Sequence, residues 1–300
     1  MDNRLLQDFV QAADSRGLGL FGVAVQQGGR FLAEHRWVED RPHVLHSLSK
    51  SYTSMAIGMA LDAGKLELGQ KVVSFFPQEL PNPLPPMLED MTVRDLLIMA
   101  PGHDTPLMMS HQRGRIDQPN WVRYYLAQPL DREPGQRFVY DSACTYMLSA
   151  IFQTVMGETV LDYLTPRLFA PMEIARPYWQ TCPRGITLGC AGLYLRTREI
   201  LSLGTLCLGE GKLDGRQIVP AWYVREATSK QIENGGVKDG GSGYGYQFWM
   251  NHHTGYRGDG AYGQLCIVLP EREAVIAINA DHENIQEILD TVWECLEPRL

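Results

Sequence analysis

The chain reads as an α+β protein: one antiparallel sheet built from both chain ends, with flanking helices and an inserted, mostly helical lobe. Three observations predict this. Strand-like runs stand near the N-terminus (LFGVAVQ, RFLAE) and again near the C-terminus (YGYQFWM, GQLCIVL, AVIAINA). Between them, apolar residues follow helical rather than alternating spacing. At 300 residues the chain is long enough to bury one large core. A single domain over 1–300 is expected, with an α/β lobe at about 1–44 and 210–300 and a helical lobe at about 45–209.

Residues 2–14 form an amphipathic helix by pattern, followed by strands Leu20–Gln26 and Arg30–Glu34 across the hairpin signal Gln27-Gly28-Gly29. From Ser47 the period changes: Tyr52, Met55, Ala56, Met59, Ala60 and Ala63 share helical spacing, and Gly64 stands where a helix ends. The proline-rich stretch 76–90 (PQELPNPLPP at its centre) is a loop. Thr92 is an N-cap for Val93–Met99, which Pro101-Gly102 stops. Residues 103–120 are polar and lack a period, so they read as a surface loop that could form part of a cleft wall. Asp141 or Ser142 caps a helix that runs to Gly157; another follows from Val160, then one near 197–209 and a last one over 283–296.

Net charge is −8 and no basic run interleaves with aromatics, which excludes nucleic acid as a partner. No apolar stretch is long enough to span a bilayer, and the N-terminus lacks the basic and apolar regions of a signal peptide. A cytoplasmic protein is therefore expected. Six scattered cysteines without a CxxC pair fit reduced thiols, and His252–His253 alone makes no zinc site. Neither a metal nor a cofactor is expected.

The strongest chemical pattern is Ser47-Leu48-Ser49-Lys50, an S-x-x-K at a helix start. Positions i and i+3 share a helix face, so the Ser47 hydroxyl and the Lys50 amine can meet. A serine nucleophile needs a base beside it, and lysine serves only if burial or a nearby cation lowers its pKa. The plain alternative makes Ser47 an N-cap and Lys50 a solvated charge. A G-x-S-x-G elbow is absent, since Gly241-Ser242-Gly243 lacks the spacing, and His46 is badly placed as a base for its neighbour.

Ser47–Lys50 is followed in order by GKLELGQKVVSFFP, MTVRDLLIMAPGH, PGQRFVYDSACTYMLSAIF, GLYLRTREILSLGTLCLGEGKLDGRQIVP and YRGDGAYGQLCIVLPEREAVIAI. This ordered set resembles the serine β-lactamase and penicillin-binding-protein superfamily, closest to the class C β-lactamase branch with its esterases, amidases and D-amino-acid peptidases. The resemblance spans about residues 18–282 and implies a β-lactamase-like fold and a serine hydrolase acting through an acyl-enzyme. By that resemblance Ser47 is the nucleophile, Lys50 helps deprotonate it, and Tyr140 shuttles a proton to the leaving group if the nearby ammonium holds the phenol partly ionised. Read alone, Tyr140 is equally a buried core tyrosine ahead of a helix cap.

The resemblance places Gly258-Asp259-Gly260 at the third element, usually K-T-G or H-x-G, and gives Ala261 the backbone N–H that joins that of Ser47 in an oxyanion hole. Read alone, the same glycines make a hairpin turn. Two positions depart from the family pattern. Ser142 replaces the asparagine of Y-x-N, and Gly258 replaces the cation that meets a substrate carboxylate. The expected substrate-binding positions are Ser142, Gly258, Asp259 and Gly260, with Tyr262, Gln264, Trp249 and the 103–120 loop as further candidates. The expected partner is a small ester, amide or short peptide, neutral or cationic. A different class stays open: an idle relative that uses the cleft only to bind a ligand or partner.

Overall fold

The hairpin at Gly28-Gly29 sets one edge of the sheet. A computed structural model describes residues 4–236, 242–252 and 254–300. In it β1 (Leu20–Gln27) and β2 (Arg30–Arg36) pair antiparallel around Gly28 and Gly29, whose φ values of 55° and 71° suit glycine. The C-terminal part supplies β3 (Trp249–Met250), β4 (Tyr256–Gly260), β5 (Gln264–Leu269) and β6 (Ala274–Ala280). The sheet order is β2-β1-β6-β5-β4-β3, antiparallel throughout. Val23 opposite Ile278 and Val25 opposite Ile276 join the two chain ends at its centre.

Every residue of β5 and β6 is buried, because both faces of the sheet are covered. On one face α1 (Gln7–Arg16) and the C-terminal helix over Ile285–Thr291 pack Phe9 and Leu289 against Val23, Val25, Ile276 and Ile278. On the other lies the helix Thr197–Leu208. A Cβ at its Gly204 would sit 2.3 Å from Val275 Cγ1, so glycine sets how closely this helix approaches the sheet. That packing ties Thr197–Leu208 to the sheet layer, although its sequence position falls within the expected helical lobe.

Two long helices carry the helical lobe: α2 (Ser49–Asp62) and α3 (Ser142–Met156). Residues 49–60 of α2 are all buried, its polar first turns (Ser49, Lys50, Ser51, Thr53, Ser54) as well as the apolar residues behind them. Gly64 follows it with φ 64°. Asp141, not Ser142, caps α3, its carboxylate accepting the Ala143 N–H at 2.7 Å, and Gly157 ends it with φ 74°. Thr92 caps Val93–Leu97 in a reciprocal capping box with Asp95. All six cysteines are free. Among the described residues no helix is long and apolar enough to cross a membrane, and no cluster of side chains could hold a metal ion.

Three details differ from the sequence reading. The first helix starts at Gln7, and YGYQFWM yields only the two-residue strand β3, Tyr244 forming isolated bridges instead. The 103–120 loop contains a short helix, Ser110–Arg113, which has no apolar period to betray it. Residues 2 and 3, Gly241 and His253, which entered the sequence reading, lie outside the described residues.

Candidate active site

Ser47 sits in a 3-10 turn, His46–Leu48, that leads directly into α2. His46 before it has φ 46°, an uncommon backbone for a residue with a side chain, and its ring tilts against Tyr262 at 5.2 Å. Lys50, one turn on, is 1% exposed. Its Nζ lies 3.0 Å from Ser47 Oγ, 3.3 Å from Ser142 Oγ and 2.9 Å from the Cys190 carbonyl. The solvated-lysine reading is therefore excluded.

Those three neighbours of the amine are neutral oxygens. Burial lowers the Lys50 pKa from 10.5 to about 8, and the Arg113 guanidinium pushes the same way. Roughly a tenth of such a lysine is unprotonated at pH 7, enough to act as a base.

Tyr140, two residues before α3, lines the same cleft as Ser47 and stands close enough for the serine to act on its phenol. Its ring lies under Lys50 Nζ at 5.0 Å and packs on Trp249 at 5.1 Å. Desolvation raises the phenol's pKa well above the ordinary tyrosine value, Asp259 adds to this, and Ser47 only partly opposes it. Where a partly ionised phenol was expected, burial instead holds the Tyr140 phenol protonated and lowers the pKa of Lys50.

Gly258-Asp259-Gly260 belongs to β4 and is not a hairpin turn; the turn comes after it, through Gly263. A Cβ at Gly258 would sit 2.5 Å from Leu48 Cδ1 and 2.7 Å from Ser51 Oγ; one at Gly260 would meet the Leu45 carbonyl at 2.1 Å. Both glycines thus face the turn that carries Ser47 and let β4 press against it. Asp259 and Ala261 alternate to the other side and line the cleft. Asp259 is nevertheless paired, accepting from Arg257 Nε at 3.2 Å, with both side chains buried.

The cleft has a volume of about 600 Å³, and Ser47, Tyr140, Ser142, Asp259 and Ala261 all line it. Tyr262 does too. Gln264 instead donates to the Ala280 carbonyl at 2.6 Å, and Trp249 stands behind Tyr140. The 103–120 loop does form a wall, through Met109, Ser110 and Arg113, together with Cys190. The sequence reading did not single out Arg113 or Cys190, since neither belongs to a motif. A lone arginine in an unpatterned loop carries no signal before folding places it.

The profile of the family described as Beta-lactamase matches residues 3–284, nearly the whole chain. The chain belongs to the beta-lactamase family. Among curated relatives of this family member is the 6-aminohexanoate-dimer hydrolase of Paenarthrobacter ureafaciens, 26% identical over 277 residues, covering 84% of this chain and 70% of the relative. Among solved structures, the octameric penicillin-binding protein homologue of Pyrococcus abyssi superposes with a TM-score of 0.76 at 18% identity, covering 98% of this chain and 76% of the other. A penicillin-binding protein homologue of Caulobacter crescentus gives a TM-score of 0.75 at 16% identity, covering 99% of this chain and 96% of the other. These structures share the beta-lactamase fold, and family membership with the curated relative makes this chain a hydrolase.

Proposed function

We propose that this hydrolase cleaves a small ester, amide or short peptide through an acyl-enzyme on Ser47. One observation carries the reading: a buried lysine nitrogen, its pKa lowered to about 8, lies 3.0 Å from a serine hydroxyl in a cleft. Neutral Lys50 accepts the Ser47 proton as Oγ attacks the substrate carbonyl carbon. The oxyanion is received by the backbone N–H groups of Ser47 and Ala261, worth about 3 kcal/mol per donor. Tyr140 gives its proton to the leaving oxygen or nitrogen and is reprotonated from the Lys50 ammonium. Water then enters by the same route in reverse and releases the acid.

The relative named for hydrolysis of the 6-aminohexanoate dimer supports a small amide among the substrates. The free cysteines fit a cytoplasmic location. Ser142 contributes as an acceptor that holds the Lys50 amine, a role the shorter side chain performs at 3.3 Å.

The test is covalent labelling with a fluorophosphonate, read by peptide mass. Wild type should gain the adduct on the Ser47 peptide and Ser47→Ala should not, while ester turnover falls by about 10⁴-fold or more. Labelling on another residue, or undiminished turnover in Ser47→Ala, sinks the reading. Labelling without turnover on any ester or amide would instead favour a cleft that only binds.

A further inference from the structure

We infer that Arg113 is the anchor for a substrate carboxylate, supplied from the 103–120 loop in place of the cation missing at Gly258. The inference rests on the acyl-enzyme reading and adds a substrate class to it: small esters or amides that carry a carboxylate.

The charge inventory of the cleft leads to it. Lys50 is committed to Ser47, Ser142 and the Cys190 carbonyl. Asp259 is paired with Arg257 within the protein, so its charge is offset where it stands. Glu283 lies on the exposed rim and makes no ion pair with Arg113. Arg113 lines the cleft wall, half-buried, with one terminal amino group donating to the Met108 carbonyl at 3.0 Å. That same nitrogen lies 4.0 Å from Cys190 Sγ. Among the described residues no carboxylate pairs with Arg113.

The Met108 contact fixes one edge of the guanidinium and leaves its Nε and second amino group to spare. That is the fork which binds a carboxylate with two parallel hydrogen bonds. Arg113 lines the same cleft of about 600 Å³ as Ser47 and His46, so one small molecule can reach both the fork and the serine. The sequence pattern removes the cation from β4; the fold provides one from the 103–120 loop of the same cleft. A substrate carboxylate would then lie toward the 103–120 loop rather than along β4.

The experiment compares mono-4-nitrophenyl esters of dicarboxylic acids, succinic to suberic, with neutral 4-nitrophenyl esters of matching chain length. Wild type, Arg113→Gln and Arg113→Lys are measured at one pH above 8. The readout is the ratio of kcat/KM for carboxylate over neutral ester, so a general loss of folding or activity cancels. At the best chain length Arg113→Gln should lower that ratio about 10- to 100-fold, the range of a charge-assisted hydrogen bond, and Arg113→Lys should restore part of it. An unchanged ratio at every length in Arg113→Gln overturns the inference. If wild type hydrolyses none of the esters, the acyl-enzyme reading falls by itself. The anchor is then read by calorimetric binding of glutarate, where equal affinity in wild type and Arg113→Gln, or no binding by wild type, overturns it.

Discussion

The amine of Lys50 and the hydroxyl of Ser47 stand 3.0 Å apart, and the chain closes over the amine until the lysine is 1% exposed. The same burial that makes the charged amine costly makes the neutral amine available, so the pKa falls to about 8. The proposed acylation of Ser47 needs the neutral form. For a neutral ester, kcat/KM should therefore rise tenfold per pH unit below about 8 and level off above it. Tyr140 is raised, not lowered, so its ionisation should add no falling limb below about pH 10. A pH–rate profile flat from 6 to 9, or falling through 8, would contradict the assignment of Lys50 as base.

The same shift has a consequence for stability. A lysine titrates near 10.4 unfolded and near 8 in this fold, so between those values the unfolded chain holds more protons than the native one. Stability contributed by this group rises with pH across that window; below about 8 the cost of the buried charge is fully present. Lys50→Met keeps most of the packing and removes that cost. Its melting temperature should exceed that of wild type at pH 7, by a margin that shrinks as pH rises toward 10, while ester turnover is lost. Parallel thermal melts of the two proteins at pH 7 and pH 10 measure this; a variant less stable at pH 7 refutes it.

Restoring the missing cation at position 258 should not restore family chemistry. A side chain there starts toward Leu48 Cδ1 and Ser51 Oγ, at 2.5 and 2.7 Å, where overpacking costs about 1–3 kcal/mol. Position 260 is harsher, because its Cβ would meet the Leu45 backbone carbonyl at 2.1 Å and that atom cannot rotate away. In urea denaturation both Gly258→Ala and Gly260→Ala should lower the midpoint, Gly260→Ala more, and Gly260→Ala should also lose activity by shifting Ala261 against Ser47. Equal midpoints for Gly260→Ala and wild type would show that β4 does not press on the turn that carries Ser47.

What the sequence made legible follows from the range of the interactions involved. Local devices are written locally: the Gly28-Gly29 hairpin, the Thr92 cap and the glycines after α2 and α3 stand where their spacing puts them. The Ser47–Lys50 pair is local too, since one helical turn brings both side chains together. Tyr140 lies in a different element, so only the ordered resemblance pointed to it. The direction of its pKa was misread, because desolvation by Trp249 and Tyr244 depends on packing that no local pattern encodes. Gly258 drew attention as a missing cation; the structure shows Gly258 and Gly260 as room left for Leu48, Ser51 and Leu45. Arg113 has no pattern at all, and only the folded loop sets it on the cleft wall.

The buried pair at the cleft floor, formed by Asp259 and Arg257, offers a further check on this layout. Arg257 and Asp259 are two residues apart on β4, so they point to the same side, and both side chains are 1% exposed or less. Arg257 also donates to Asn251 Oδ1 at 3.0 Å. Replacing one member leaves the other charge in a site built for a pair, which typically costs about 3–5 kcal/mol, whereas replacing both by apolar groups costs far less. Arg257→Leu alone should therefore destabilise more than Arg257→Leu with Asp259→Ala. The single change should also slow turnover, since an uncompensated Asp259 carboxylate would repel the oxyanion proposed at Ala261 and favours the ammonium form of Lys50. The double change should recover part of both losses and move the alkaline rise in kcat/KM back toward that of wild type. A double-mutant cycle on denaturation midpoints and pH–rate profiles decides it: additive losses would mean that the two charges act independently and that the cleft does not depend on their pairing.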